Sequence, residues 1–197
     1  SQGRFLWVFS RLATIESDLF DKDQRDVFLS YAKSGMEFLK KHVLIDGEPL
    51  RCVFLTDAQG NPKSVEGHDG YDLSISADCF VVMGFAAYAR ATADKQAWKF
   101  ARDLGASIFE RYESGNYRSL PYPVPSGYRT HAKPMILTNV FCELYRSAEQ
   151  LFDKAYAEVL RERISDCHKE VFEVFADERN LVHEFTLADG SFAENLF

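Results

Sequence analysis

The chain has 197 residues, 46% hydrophobic and 14% aromatic, and a formal net charge of −7. This is enough apolar material for a sizeable core, and a charged fraction of 27% is ordinary for a globular protein, so long disordered segments are excluded. The acidic balance, with no basic run longer than Lys40 and Lys41, argues against a nucleic-acid partner, and no apolar stretch reaches the ~20 residues a membrane-spanning helix needs.

Taken in chain order, the apolar spacing predicts six helices of two alternating kinds. Residues 5–15 form the first, apolar nearly all round. Residues 24–43 form the second, with Val27, Phe28, Tyr31, Phe38 and Leu39 on one stripe and charges elsewhere. A long connection follows, in which 51–56 and the turn at Ala58 to Asn61 read as a strand and turn. Residues 79–89 (CFVVMGFAAYA) are apolar on every side, whereas 94–113 are amphipathic. After a loop stiffened by Pro121, Pro123 and Pro125, the pair repeats as 135–142 (MILTNVFC) and 154–175. A second strand and turn are expected over 180–191.

A helix without a wet face must be enclosed by others, so the apolar set is inner and the amphipathic set outer. The order implies a weak repeat of helical hairpins that can close into a ring, all within one domain spanning 1–197. Connections inside each hairpin are short and those leading into the next inner helix are long. The long loops therefore gather at one end, and a functional site is expected above the N-termini of the inner helices.

Cys52, Cys79, Cys142 and Cys167 form no CxxC pair and read as buried, reduced thiols, which fits a cytoplasmic location. No phosphate-binding glycine loop, HExxH, GxSxG or zinc-type cluster occurs, so no metal and no cofactor is expected.

Charge placement is more informative. Arg4 lies in the first turn of an inner helix, where the dipole disfavours a cation. It reads either as half of an ion pair with a loop carboxylate or as a guanidinium aimed into the ring at substrate oxygens. Asp78, near Ser74 and Ser76, reads as a helix cap or as a site carboxylate. His131 and Lys133 precede the third inner helix, and Asn139 needs a partner among apolar neighbours. In the last strand Glu184 is a better ligand candidate than His183, because adjacent strand residues face opposite sides.

Four segments in order resemble the N-acylglucosamine 2-epimerase family, which also contains cellobiose 2-epimerases and mannose-type aldose-ketose isomerases. They are Gln2-Gly3-Arg4-Phe5-Leu6-Trp7 with Ser10, then Ser76-Ala77-Asp78-Cys79-Phe80, then Lys133-Pro134-Met135-Ile136-Leu137 with Glu143-Leu144, and Glu184 with Asp189-Gly190. The resemblance implies an all-α (α/α)6 barrel, about half of it in this chain, with small β-hairpins in the loops at the active-site face. Family members are about twice this length, so one helix is expected before Ser1 and several after Phe197.

The implied reaction epimerises or isomerises C2 of a reducing sugar, with a pair of acid/base histidines expected beyond Phe197. It implies Arg4 as the guanidinium lining the site and Trp7, Ser76, Asp78, Met135, Asn139 and Glu184 as substrate contacts. Met135 stands where cellobiose epimerases tend to carry histidine, which favours a monosaccharide such as an N-acylhexosamine. The expected partners are that sugar and a second copy in a homodimer. Two other readings stay open: a non-catalytic sugar- or protein-binding member related to the renin-binding protein, and a glycoside hydrolase or lyase using Asp78 and Glu184.

Overall fold

The computed structural model describes residues 2–192. Six helices are present: α1 (Gln2–Thr14), α2 (Lys22–His42), α3 (Ile75–Thr92), α4 (Lys95–Glu113), α5 (Ala132–Gln150) and α6 (Lys154–Val174). They form three hairpins. Helix α3 packs against α1 on one side and α5 on the other, while α2, α4 and α6 each lie behind their own inner helix. The inner and outer layers expected from the apolar pattern are thus observed.

Local chemistry separates the layers. Each outer helix starts on an aspartate cap: Asp21 accepts from the Gln24 amide at 2.8 Å in a capping box, Asp94 from Gln96 at 2.8 Å, and Asp153 from Tyr156 at 3.4 Å. Each such cap is worth ~0.5–2 kcal/mol. The N-cap residues of α3 and α5, Ser74 and His131, make no side-chain cap hydrogen bond. The segments before the helices serve instead: the Ile75 N–H donates to the Arg118 carbonyl at 2.9 Å, and the Ala132 N–H to Thr130 Oγ1 at 3.2 Å. The expectation that Ser74 or Asp78 caps α3 is therefore corrected, since a neighbouring loop fills that role.

Burial follows position in the arc. Helix α3, flanked on both sides, buries twelve residues from Ile75 to Ala89. Helix α1 buries only Gly3, Leu6 and Ser10, and Phe5 and Val8 are exposed because α1 lies at the edge of the arc. The apolar character of α1 is as expected, but its enclosure is not complete among the described residues.

The loops form a continuous rim. Arg51 pairs with Asp72 and also reaches Asn116, Arg118 donates to the Asp69 carbonyl, and the Leu120 N–H donates to Leu73 O at 3.0 Å. The strands are β1 (Tyr128–Thr130) and β2 (Phe185–Leu187), antiparallel, with Arg129 opposite Thr186. This pair joins two successive loops across the α5–α6 hairpin. The strand expected over 51–56 is reduced to isolated bridges, Leu44 with Cys52 and Thr56 with Pro62, because the segment runs alone over helix ends and has no neighbouring strand.

The α1–α3 crossing admits no side chain at two positions. A Cβ on Gly3 would sit 2.5 Å from the Phe80 carbonyl oxygen, and one on Gly84 would sit 2.7 Å from the Gly3 carbonyl oxygen. Both obstacles are backbone, so the helices would have to separate. We expect Gly3→Ala to destabilise by at least the ~1–3 kcal/mol typical of overpacking, read as a lower urea midpoint at unchanged m.

Candidate active site

The face of the arc shared by α1, α3 and α5 carries one stripe from each helix. On α1 the stripe holds Arg4 and Arg11, on α3 Phe80, Met83 and Arg90, and on α5 Met135, Asn139 and Arg146. That these point the same way follows from contacts across α3. Arg11 of α1 reaches Glu143 of α5 at 3.5 Å, although α3 lies between their helices and α4 covers its other side. The meeting point is therefore over the free, concave face of α3.

At the loop end of this face, the Arg4 guanidinium lies 3.8 Å from the centre of the Phe80 ring. Arg4 is exposed and makes no ion pair among the described residues. Stacking holds the guanidinium plane while leaving its N–H edges free, a geometry suited to carbonyl, hydroxyl or enolate oxygens. One turn below, Trp7 is half-buried, Arg11 lies 5.5 Å over its ring, and its buried Nε1 has no acceptor among the described residues. Asn139 is exposed on α5, and its amide reaches the Met83 sulfur at 3.9 Å, which answers its need for a partner only weakly. Met135 is exposed near the start of the same stripe.

Asp78 is different. It is 2% exposed, its Oδ2 accepts from Arg111 Nη2 at 2.5 Å, and its Oδ1 accepts from the Cys52 N–H at 2.9 Å. Arg111 also donates to Ser107 Oγ at 3.3 Å, which in turn donates to the Leu50 carbonyl at 2.7 Å. Burial pushes the Asp78 carboxyl up, opposed by Arg111 and by the Cys52 amide. As a sugar contact Asp78 is thus corrected: both of its oxygens are committed to anchoring the 44–73 loop against α3 and α4. Ser76, half-buried one turn from this network, makes no side-chain hydrogen bond among the described residues.

Glu184 is exposed and gathers the start of α5. Its carbonyl accepts from the His131 N–H at 3.3 Å, its Oε2 lies 3.7 Å from His131 Nδ1, and Thr130 Oγ1 reaches its Oε1 at 3.5 Å. Two residues along, Lys133 is buried with no ion pair among the described residues, and burial lowers its amine below the usual lysine range. Four partners were not visible in the sequence: Phe80 under Arg4, Met83 at Asn139, Arg111 at Asp78, and Glu143 among arginines. Only Glu143 carried a signal, as a carboxylate inside an apolar helix. Among the described residues no three His, Cys, Asp or Glu side chains converge as a metal site would require.

No family model matches the chain. The N-acylglucosamine 2-epimerase of Bos taurus is 26% identical over 152 residues, which is 76% of this chain and 34% of that protein. The fold is similar to that of a sugar epimerase from a ruminal bacterium (TM-score 0.74, 19% identity), and to the cellobiose 2-epimerase of Bacillus thermoamylovorans (TM-score 0.68, 19% identity). Each alignment covers 98% of this chain and 48% of the other. The chain is thus similar in sequence, at low identity, to N-acylglucosamine 2-epimerases, and in fold to sugar epimerases that include a cellobiose 2-epimerase. It spans about a third of the length of the curated relatives it matches and about half of the solved structures, and its three hairpins correspond to about half of an (α/α)6 barrel. No described helix is long and apolar enough to cross a membrane.

Two stability measurements follow from these side chains. Asp78→Asn leaves Arg111 as an uncompensated buried charge and should cost ~3–5 kcal/mol in denaturant unfolding. Lys133 has the opposite sign: a base whose folded pKa lies below its unfolded value binds fewer protons when folded, so stability rises with pH through that window. Lys133→Met is therefore expected to raise Tm at pH 7, with the gain shrinking as pH approaches the ~10.4 of a free lysine.

Proposed function

We propose that the protein is a sugar 2-epimerase that interconverts N-acyl-D-glucosamine and N-acyl-D-mannosamine by removing and returning the proton at C2. The observation that carries this reading is Arg4: a guanidinium stacked on Phe80, without an ion-pair partner among the described residues, at the loop end of a concave helical face. Removing the proton beside an open-chain carbonyl develops negative charge on the carbonyl oxygen. A preorganised guanidinium stabilises that charge more than it stabilises the neutral sugar, which is the condition for accelerating the step.

Trp7, with its unpartnered Nε1, and Asn139 would orient the hydroxyl and acyl groups, with Ser76 and Glu184 at the rim. On this reading the acid/base pair is two histidines, neither of them among the five of this sequence. An exposed Met135 offers an apolar contact rather than a hydrogen bond at its level of the face, which favours a monosaccharide over cellobiose. Aldose-ketose isomerisation of mannose would use the same proton removal and differ in where the proton returns. The hydrolase reading loses support because Asp78 is closed off by Arg111, leaving Glu184 without its carboxylate partner. A cytoplasmic homodimer completes the proposal.

The test is proton NMR of the full-length protein with N-acetylmannosamine in deuterated water. Loss of the C2 proton signal together with appearance of the other epimer is expected. Arg4→Ala should slow this by ~10²–10³, as removal of one oxyanion donor does elsewhere. Binding of the sugar without any C2 exchange would instead favour a non-catalytic member of the family.

A further inference from the structure

Toward the far end of the concave face, three arginines from three different helices surround one carboxylate. Glu143 of α5 is 1% exposed. Its Oε1 lies 2.5 Å from Arg90 Nη2 of α3, and its Oε2 lies 3.5 Å from Arg11 Nη1 of α1 and 3.8 Å from Arg146 Nη1. Arg90 is further fixed by donating to Ser147 Oγ at 3.3 Å, and Arg11 by the Trp7 ring. One carboxylate neutralises one guanidinium, so among the described residues two positive charges remain in excess. Among the described residues the side chains of Arg11 and Arg146 are 44% and 61% exposed on the concave side, while Arg90 and Glu143 form the buried base of the cluster.

This excess stands out in a chain whose net charge is −7. Arg11 follows Arg4 by seven residues on α1, which places the cluster about 10 Å deeper along the same face. Guanidiniums present paired N–H donors whose geometry matches oxyanions, and a concave setting strengthens their field relative to an open surface.

We propose that this arginine cluster is an anion subsite on the floor of the concave face, taking a phosphate-type oxyanion, either as a free ion or carried by the sugar. Arg11 and Arg146 contact the anion. Arg90, held by Glu143 and Ser147, supplies the fixed positive base. The subsite rests on the concave face being the ligand-binding face and is read by binding alone, so its failure is distinct from a failure of the epimerase reading.

The test is thermal unfolding and 31P NMR titration of the full-length protein with inorganic phosphate at constant ionic strength set with sodium chloride. Phosphate is expected to raise Tm above the chloride control, and Arg146→Gln or Arg11→Gln to weaken the titrated affinity by about tenfold or more. Folding of each variant is checked by its Tm in chloride alone, which should match that of the unsubstituted protein within a few degrees. A parallel titration with mannose 6-phosphate distinguishes the sources. Tighter binding than inorganic phosphate, lost in Arg146→Gln, assigns the anion to the sugar, whereas equal or weaker binding assigns it to the free ion. Absence of any phosphate effect beyond the chloride control, or unchanged affinity in both variants, would overturn the proposal.

Discussion

The backbone contact between α1 and α3 governs the rest of this structure. With no Cβ at Gly3 or Gly84, the two helices approach until the Gly3 carbonyl and the Phe80 peptide touch the opposing backbone. That separation brings Phe80 under the Arg4 guanidinium, and the same approach lets Arg11, two turns along, cross α3 and reach Glu143. The two ends of the concave face, a single stacked arginine at the loops and an arginine cluster on the floor, are therefore set by one crossing. A wider crossing would move both together, because a packed helix pair shifts as a unit rather than deforming continuously.

Helix crossing alone does not build a mouth for the site. The long loops have little regular structure, and they are held by polar contacts reaching into the helical layers. Asp78 is the main anchor: buried with Arg111, it draws in the Cys52 amide, while Arg111 and Ser107 secure the Leu50 carbonyl. Such a pair adds little net stability over apolar residues of the same size, yet losing one partner is costly. Its consequence here is positional, keeping the 44–73 loop beside the α3 N-terminus. The β1–β2 pair does the same between the next two loops and brings Glu184 to His131 at the start of α5.

Charge is distributed unevenly between the two ends. At the loop rim acids stand beside bases, Asp72 with Arg51 and Glu184 with His131, whereas on the concave floor three arginines share one carboxylate among the described residues. A neutral sugar would need only the hydrogen-bonding groups near Arg4. The floor adds a recognition element of a different kind, which links the shape of the helical face to a choice among ligands.

Much of this fold was legible in the residues themselves. Helix number, order and layer were readable because periodicity reports which faces meet water, and a helix apolar on all sides has few places to go. The site was legible only in part. Arg4 stood out because a cation in a first turn is disfavoured there, but its partner Phe80 lies 76 positions away and carries no local mark. Asp78 looked like a ligand because chain order says nothing of Arg111, and Glu143 meets Arg11 across 132 positions. The sequence by itself determined the elements, their alternation and the end at which the loops collect, since these depend on neighbours within a turn or two. Only the tertiary structure decided which charges are paired, which are closed off and which remain free to meet a ligand, because ion pairing is set by distances between helices that the chain does not place side by side.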